Sequence, residues 1–178
     1  MQRAMSRRAV MMAGLAASLL ADLATAAQIA PAAMRGDDGE LFHVGPSRDP
    51  VRIKVSPSGQ GRFAMIAQQM APGSRIPIHL HEREDEIIFI HSGNGTATLG
   101  EKQSTIGAGS VLYVPQGTWH GGENSGDTVM WWIAIYSPSG FEGYFREIGT
   151  RAPKDTPVRR SAEEWAELDR KYGIRYRR

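Results

Sequence analysis

Three histidines and one glutamate stand in two glycine-framed stretches of this chain. The first reads Gly73-x5-His79-x-His81-x4-Glu86-x6-Gly93, and the second Gly109-x5-Pro115-x-Gly117-x2-His120-x3-Asn124. Residues i and i+2 of a strand point to one face, so His79 and His81 can present both imidazoles together while Leu80 points the other way. A polar turn, Glu82 to Asp85, separates them from Glu86, which opens the apolar run Glu86–Ile90. If that run pairs antiparallel with the first, Glu86 returns beside the two imidazoles. Val111–Val114 reads as a strand and Pro115-Gln116-Gly117 as a turn, with His120 on the returning arm of a hairpin. Three imidazoles and a carboxylate suit one divalent ion, Fe, Mn, Ni, Co, Cu or Zn, with coordination positions left for a substrate.

A single His-x-His is weak as a metal signal, but four ligand-type residues in two spaced patterns are far more specific. Both stretches resemble, in every spacing, the two motifs of the cupin superfamily. The resemblance covers 52 of 178 residues, Gly73 to Asn124. It implies an all-β fold, a cupin-type β-barrel or jelly roll with a metal inside, and it carries His79, His81, Glu86 and His120 over as the ligands. Phe145–Gly149 and Lys171–Ile174 also resemble, much less specifically, the tails of small single-domain cupins related to quercetin dioxygenases. That likeness implies a metal-dependent dioxygenase acting on a small enolisable or aromatic, flavonol-like substrate, with Glu86 able to serve as the general base. A metal-dependent isomerase or decarboxylase, and a non-catalytic small-molecule or metal-binding protein, stay open, because one fold hosts many functions.

The remaining strands supply the walls of such a site. Glu86, Ile88 and Ile90 share a face, which makes Ile88 and Ile90 candidate apolar walls around the metal; Ile87, Phe89 and His91 face away. Arg75 has the parity of His79 and His81 and is a candidate anchor for an anionic substrate, although Pro77 interrupts the strand. Trp119, Trp131 and Trp132 could stack an aromatic substrate; of these Trp132 is the pocket candidate. His43 lies far from both motifs and reads as a packing or surface residue. Leu41–Val44 and Val51–Val55, bounded by Pro46, Pro50 and Pro57, read as edge strands. Arg62–Met70, Thr96–Leu99 and Lys102–Ile106 continue a series of short strands with glycine turns, the signature of a sandwich or barrel. Val129–Ile135 is apolar on both faces and needs cover on both. A partner chain is one source of that cover, and a homodimer is expected.

Composition narrows the rest. The chain has no cysteine, so neither a disulfide nor a thiolate ligand is available. Residues 1–26 carry Arg3, Arg7, Arg8 and one acid, Asp22; without them 18 of the 21 basic and 18 of the 19 acidic side chains remain, a neutral balance. That balance offers no basic footprint for nucleic acid. Residues 1–26 read as a signal peptide, with a basic start, an apolar run from Ala9 to Leu20 too short for a comfortable membrane span, and a small-residue end at Ala24-Thr25-Ala26. Ser6-Arg7-Arg8 resembles the start of a twin-arginine signal, although Val10 stands where that pattern has Phe or Leu. A periplasmic or secreted protein without stable membrane insertion after cleavage is expected. Residues 27–40 read as a flexible linker, 41–150 as the barrel, and 151–178 as a connection plus a helix packed on it. Phe141–Ile148 reads as a short helix capped by Ser139. Ser161-Ala-Glu-Glu164 is a capping box opening a helix that Gly173 stops, with Trp165, Leu168 and Tyr172 on one face.

Overall fold

The computed structural model describes residues 31–57 and 61–177. The stretch read as a signal peptide and the start of the expected linker lie outside them. Eleven strands form two antiparallel sheets. The six-stranded sheet has the order β1 (Glu40–Val44), β2 (Asp49–Val55), β3 (Ala64–Met70), β10 (Met130–Ser137), β5 (Asp85–Ser92), β8 (Val111–Val114). The five-stranded sheet has the order β11 (Ile174–Tyr176), β4 (Arg75–His81), β9 (His120–Glu123), β6 (Asn94–Leu99), β7 (Lys102–Gly107). The expectation of an all-β double sheet with a C-terminal helix is met. Among the described residues two short helices, α1 (Glu142–Ile148) and α2 (Ala162–Tyr172), lie between β10 and β11 in the chain. Among the described residues no helix is long and apolar enough to cross a membrane.

Alternation in the sequence becomes the two faces of the larger sheet. In β3 and β10 every second residue is buried. Val51, Ile53, Ile66, Ile88, Ile90, Val114, Trp132 and Ala134 all fall in one core cluster. The opposite parity of β5, β8 and β10 faces outward: Ile87, Phe89, Val111 and Tyr113 are exposed, and Trp131, Ile133 and Ile135 are half-buried. The apolar run at Val129–Ile135 is therefore a central strand whose inner face is covered within the chain.

Several local expectations change. β2 lies between β1 and β3, so of these two strands β1 alone lies at an edge. β8 and β9 do not form a hairpin: β8 pairs with β5 in one sheet and β9 with β4 and β6 in the other, so the Pro115–Trp119 turn crosses between sheets. Ser139 does not cap α1; its hydroxyl donates to the Gly61 carbonyl, and the Glu142 carboxylate accepts the Gly140 N–H. The α2 capping box forms as expected, with Ser161 accepting from the Glu164 N–H and Glu164 accepting from the Ser161 N–H, and Gly173 ends the helix at φ 63°. Only Leu168 of its apolar face is buried; Trp165 stays 37% exposed. Directly after Gly173 the chain adds β11 to the edge of β4, pairing Ile174 with His81 and Tyr176 with His79. Asn124, the last residue of the second motif, is fully buried. Its amide donates to the Met70 and Thr128 carbonyls, tying the end of β9 to β3 and to the approach to β10.

Candidate metal centre

His79 and His81 lie on β4, with His120 opposite His79 on the neighbouring β9. Glu86 does not return alongside β4 by pairing with it. It sits on β5, in the opposite sheet between β10 and β8, and reaches across the interior. The strand parity read from the sequence is right, but the partner strand is not. The site is assembled between the sheets, so its geometry depends on how they close over each other.

The four ligand atoms lie within 4.8 Å of one another, and all four residues are buried. Glu86 Oε2 is 2.8 Å from His120 Nε2 and 3.5 Å from His81 Nε2. The Nδ1 atoms of His79 and His120 lie 2.8 and 2.9 Å from the Pro77 and Thr118 carbonyls. Those bonds assign the proton to Nδ1 and leave Nε2 as the free lone pair. This is the backbone support that orients imidazoles toward a metal. His81 is held by packing, its ring 4.2 Å from that of Phe141 in an edge-on arrangement.

His81 Nδ1 and Nε2, His120 Nε2 and Glu86 Oε2 are buried without a partner in hydrogen-bonding geometry, despite the short His120–Glu86 approach. Orphaned polar atoms of this kind are costly inside a protein and call for an explanation. Three imidazole nitrogens and a carboxylate oxygen converging on one point account for all of these but the second nitrogen of His81, because the donor set fits a single divalent ion. The charges agree. Burial, followed by the neighbouring His120 and His81, brings the His79 pKa down to about 3, so that imidazole stays neutral. Burial would raise Glu86, but its contacts with His120 and His81 outweigh it and hold the carboxylate well below its ordinary range. Burial would lower His120, but the Glu86 carboxylate reverses this and raises it. In the metal-free protein a proton shared by this pair would compete with an ion, so metal binding releases protons.

A cavity of about 730 Å³ opens from the cluster, touched by His79, Glu86 and His120 and lined largely by apolar and aromatic side chains. Its size lies within the range of small-molecule sites. Trp132 lines it, and its position depends on a glycine. A Cβ on Gly122 of β9 would stand 2.7 Å from the Trp132 ring, so only glycine lets the indole lie against that strand. Ile88 and Ile90 share Glu86's face and are fully buried, but they belong to the core farther along β5 and do not line the cavity. The strand advances roughly 3.3 Å per residue, which carries them away from the metal. Arg75 reaches the cavity rim with a largely exposed side chain, paired to Glu123 at 3.0 Å. Trp131 lies on the outer face beside His91, and Trp119 packs under the Arg177 guanidinium. His43 is buried and pairs through its backbone with Thr150, away from the cluster.

The sequence reading missed Tyr136, Phe141, Tyr144 and Tyr176. Tyr136 had a signal: it shares parity with Trp132 on β10 and faces Glu86 across the β10–β5 register. Burial, and then the Glu86 charge, push its phenol well above the usual range, so it remains a proton donor at all ordinary pH. The other three come from the chain after β10 and line the cavity, and no local pattern ties them to the site.

Fold and site together define a double-stranded β-helix with a buried three-histidine, one-glutamate cluster of the kind that holds a metal. Residues 67–136, the central strands, match the family model described as Cupin domain. Over 67 residues it is 36% identical to the oxalate-binding protein of Thermotoga maritima, covering 38% of this chain and 55% of that protein. It is 40% identical over 72 residues to germin-like protein 5-1 of Oryza sativa subsp. japonica, covering 38% of this chain and 33% of the relative. The chain thus spans about half, or less, of the curated relatives it matches. Among solved structures, KdgF from Halomonas sp. aligns with a TM-score of 0.57 at 18% identity, over 64% of this chain and 99% of that one. A predicted oxalate decarboxylase from Thermotoga maritima aligns with a TM-score of 0.54 at 24% identity, over 60% and 98%. These structural likenesses support the fold.

Proposed function

We propose that the protein is a metal-dependent dioxygenase acting on a small aromatic or enolisable molecule that bears an oxygen able to reach the metal. The observation that carries this reading is the cavity: about 730 Å³, opening directly on His79, Glu86 and His120 and walled by Trp132, Tyr136 and Phe141. A divalent ion held by His79, His81, Glu86 and His120 would supply Lewis acidity to a substrate oxygen and, if redox-active, electron transfer to O₂. Glu86 is the carboxylate placed to take the proton that the substrate gives up. Tyr136, held protonated beside it, can donate a hydrogen bond to negative charge developing at the same point. Trp132 and Phe141 exclude water and orient a flat ring.

Similarity to the oxalate-binding protein of Thermotoga maritima suggests a second ligand class, a small dicarboxylate. Two features weigh against it. The cavity is far larger than a two-carbon dianion needs, and its arginines are already engaged. Arg48 donates to the Pro153, Ala152 and Asp155 carbonyls and to the Thr150 hydroxyl. Arg75 is paired with Glu123.

Oxygen uptake by the metal-loaded protein with flavonols, β-diketones and small carboxylic acids tests the reading. Uptake with an aromatic or enolisable compound supports it. Conversion without oxygen consumption would move the protein to the isomerase or decarboxylase class, and inertness toward all of them to a binding role. In Glu86→Gln, turnover per bound metal should fall about 10²–10⁴-fold, the usual worth of a general base. Near-normal turnover would leave Glu86 as a ligand only.

A further inference from the structure

Besides the metal-ligand cluster, the cavity wall carries a second polar group. Tyr144 of α1, Asp169 of α2 and Tyr176 of β11 all line it. The Tyr144 and Tyr176 hydroxyls lie 3.0 Å apart. Asp169 Oδ1 is buried with no hydrogen-bond partner. The Tyr176 ring is 5.9 Å from that of His79, so this group and the metal cluster face one space. All three residues come from beyond residues 67–136, from segments added after the last barrel strand.

The protons in this group can be counted. Two phenols bring two O–H donors. Burial pushes the Tyr176 phenol up to about 12 and raises Tyr144 further, so both are protonated at neutral pH. Burial raises the Asp169 carboxyl above its ordinary value, and the Tyr144 hydroxyl beside it opposes that shift in part by favouring the ionised form. With the Tyr144 proton directed to Asp169 and the Tyr176 proton to Tyr144, the outward atoms are lone pairs: those of the Tyr176 oxygen and of Asp169 Oδ1. A surface of buried acceptors is satisfied by a donor, and leaving it unmatched is costly.

We propose that Tyr176, Tyr144 and Asp169 form a substrate-anchoring subsite that accepts a hydrogen bond from a hydroxyl of an aromatic substrate other than the oxygen that meets the metal. This rests on the aromatic-substrate reading above and refines it: the substrate carries two oxygen functions, one for the metal and one for this wall. Tyr176 and Asp169 supply the contacts, and Tyr144 is a positioning residue that joins them. Such an arrangement discriminates well, because a ligand lacking the hydroxyl leaves the acceptors unpaired.

Two chelating fluorescent probes that differ by one group, 3-hydroxyflavone and 3,4′-dihydroxyflavone, test this in the Zn²⁺-loaded protein, where a redox-inert ion prevents turnover. In the wild type the second probe should bind about tenfold tighter, the ratio expected for one added hydrogen bond to a charge-linked acceptor. In Tyr176→Phe that preference should vanish while 3-hydroxyflavone affinity stays within about twofold, as expected if only one hydrogen bond is removed. Asp169→Asn should lose part of the preference. Tyr172→Phe, whose hydroxyl donates to Glu147 instead, should keep it. Equal affinity for the two probes in the wild type, or an unchanged preference in Tyr176→Phe, overturns the subsite alone. Failure of either probe to bind the metal-loaded wild type overturns the aromatic-substrate reading and the subsite with it.

Discussion

Replacing Glu84 with glutamine should stabilise the protein at alkaline pH and leave its relative stability unchanged in acid. Glu84 stands in the turn between β4 and β5, only 5% exposed, and its Oε2 has no hydrogen-bond partner. Burial, opposed only in part by Arg83, raises its carboxyl from an ordinary 4.5 to about 7. The Arg83 guanidinium is committed elsewhere, donating to the Lys171 and Arg170 carbonyls at the end of α2. A folded-state pKa above the unfolded one means that the native protein binds the proton more tightly. The contribution is therefore fully present below pH 4.5 and is lost as pH rises through 7. At about 1.36 kcal/mol per pKa unit, the loss amounts to about 3 kcal/mol by pH 8. Urea unfolding of metal-free wild type and Glu84→Gln between pH 4.5 and 8 gives the difference directly. His79 and every other titrating group contribute to both proteins and cancel. The variant should gain about 3 kcal/mol on the wild type across that window, roughly 6–12 °C in melting temperature for a domain of this size. A difference that does not change with pH would refute the reasoning, whatever its constant value.

Three further outcomes follow from particular contacts. Gly122→Ala puts a methyl group 2.7 Å from the Trp132 ring, so it should cost about 1–3 kcal/mol in unfolding experiments and weaken binding of the flavone probes. The outer face formed by Ile87, Phe89, Val111, Tyr113 and Trp131 carries no charged side chain among these five, and we propose that a second copy of the same face covers it. Val111→Lys, at a position 64% exposed, should then shift a dimer to monomer in analytical ultracentrifugation without loss of fold; a monomeric wild type contradicts the proposal. If the arginine pair directs export, Arg7→Lys/Arg8→Lys should lower the exported fraction, and unchanged export would point to the general secretory route.

Strand parity made His79, His81 and Glu86 legible in the sequence, because alternation is a local property of the chain. The partnership of strands is not local. A four-residue turn after His81 is equally compatible with a hairpin and with a crossing to the facing sheet, and the chain crosses. The same holds for Pro115–Trp119, which carries the chain from β8 to β9 in the other sheet. Ile88 and Ile90 had the right face but the wrong depth, since parity says nothing about how far along a strand the cavity extends. Tyr144 and Tyr176 were illegible for a different reason. They reach the cavity only because of where α1 packs and because three residues after Gly173 pair with β4. Trp132 was a pocket candidate only as an aromatic side chain able to stack on a ring, and its dependence on Gly122 was illegible, being a steric relation between strands β10 and β9 in opposite sheets.

Metal stoichiometry tests the central claim most directly. Equilibrium dialysis of the metal-free protein against a divalent ion should give one tightly held ion per wild-type chain. The His79→Ala/His81→Ala/His120→Ala variant should hold none at the same free concentration, since Glu86 alone cannot form a site. Circular dichroism would establish that the variant remains folded. Wild-type occupancy in that folded variant would show that the cluster between the sheets is not the metal site.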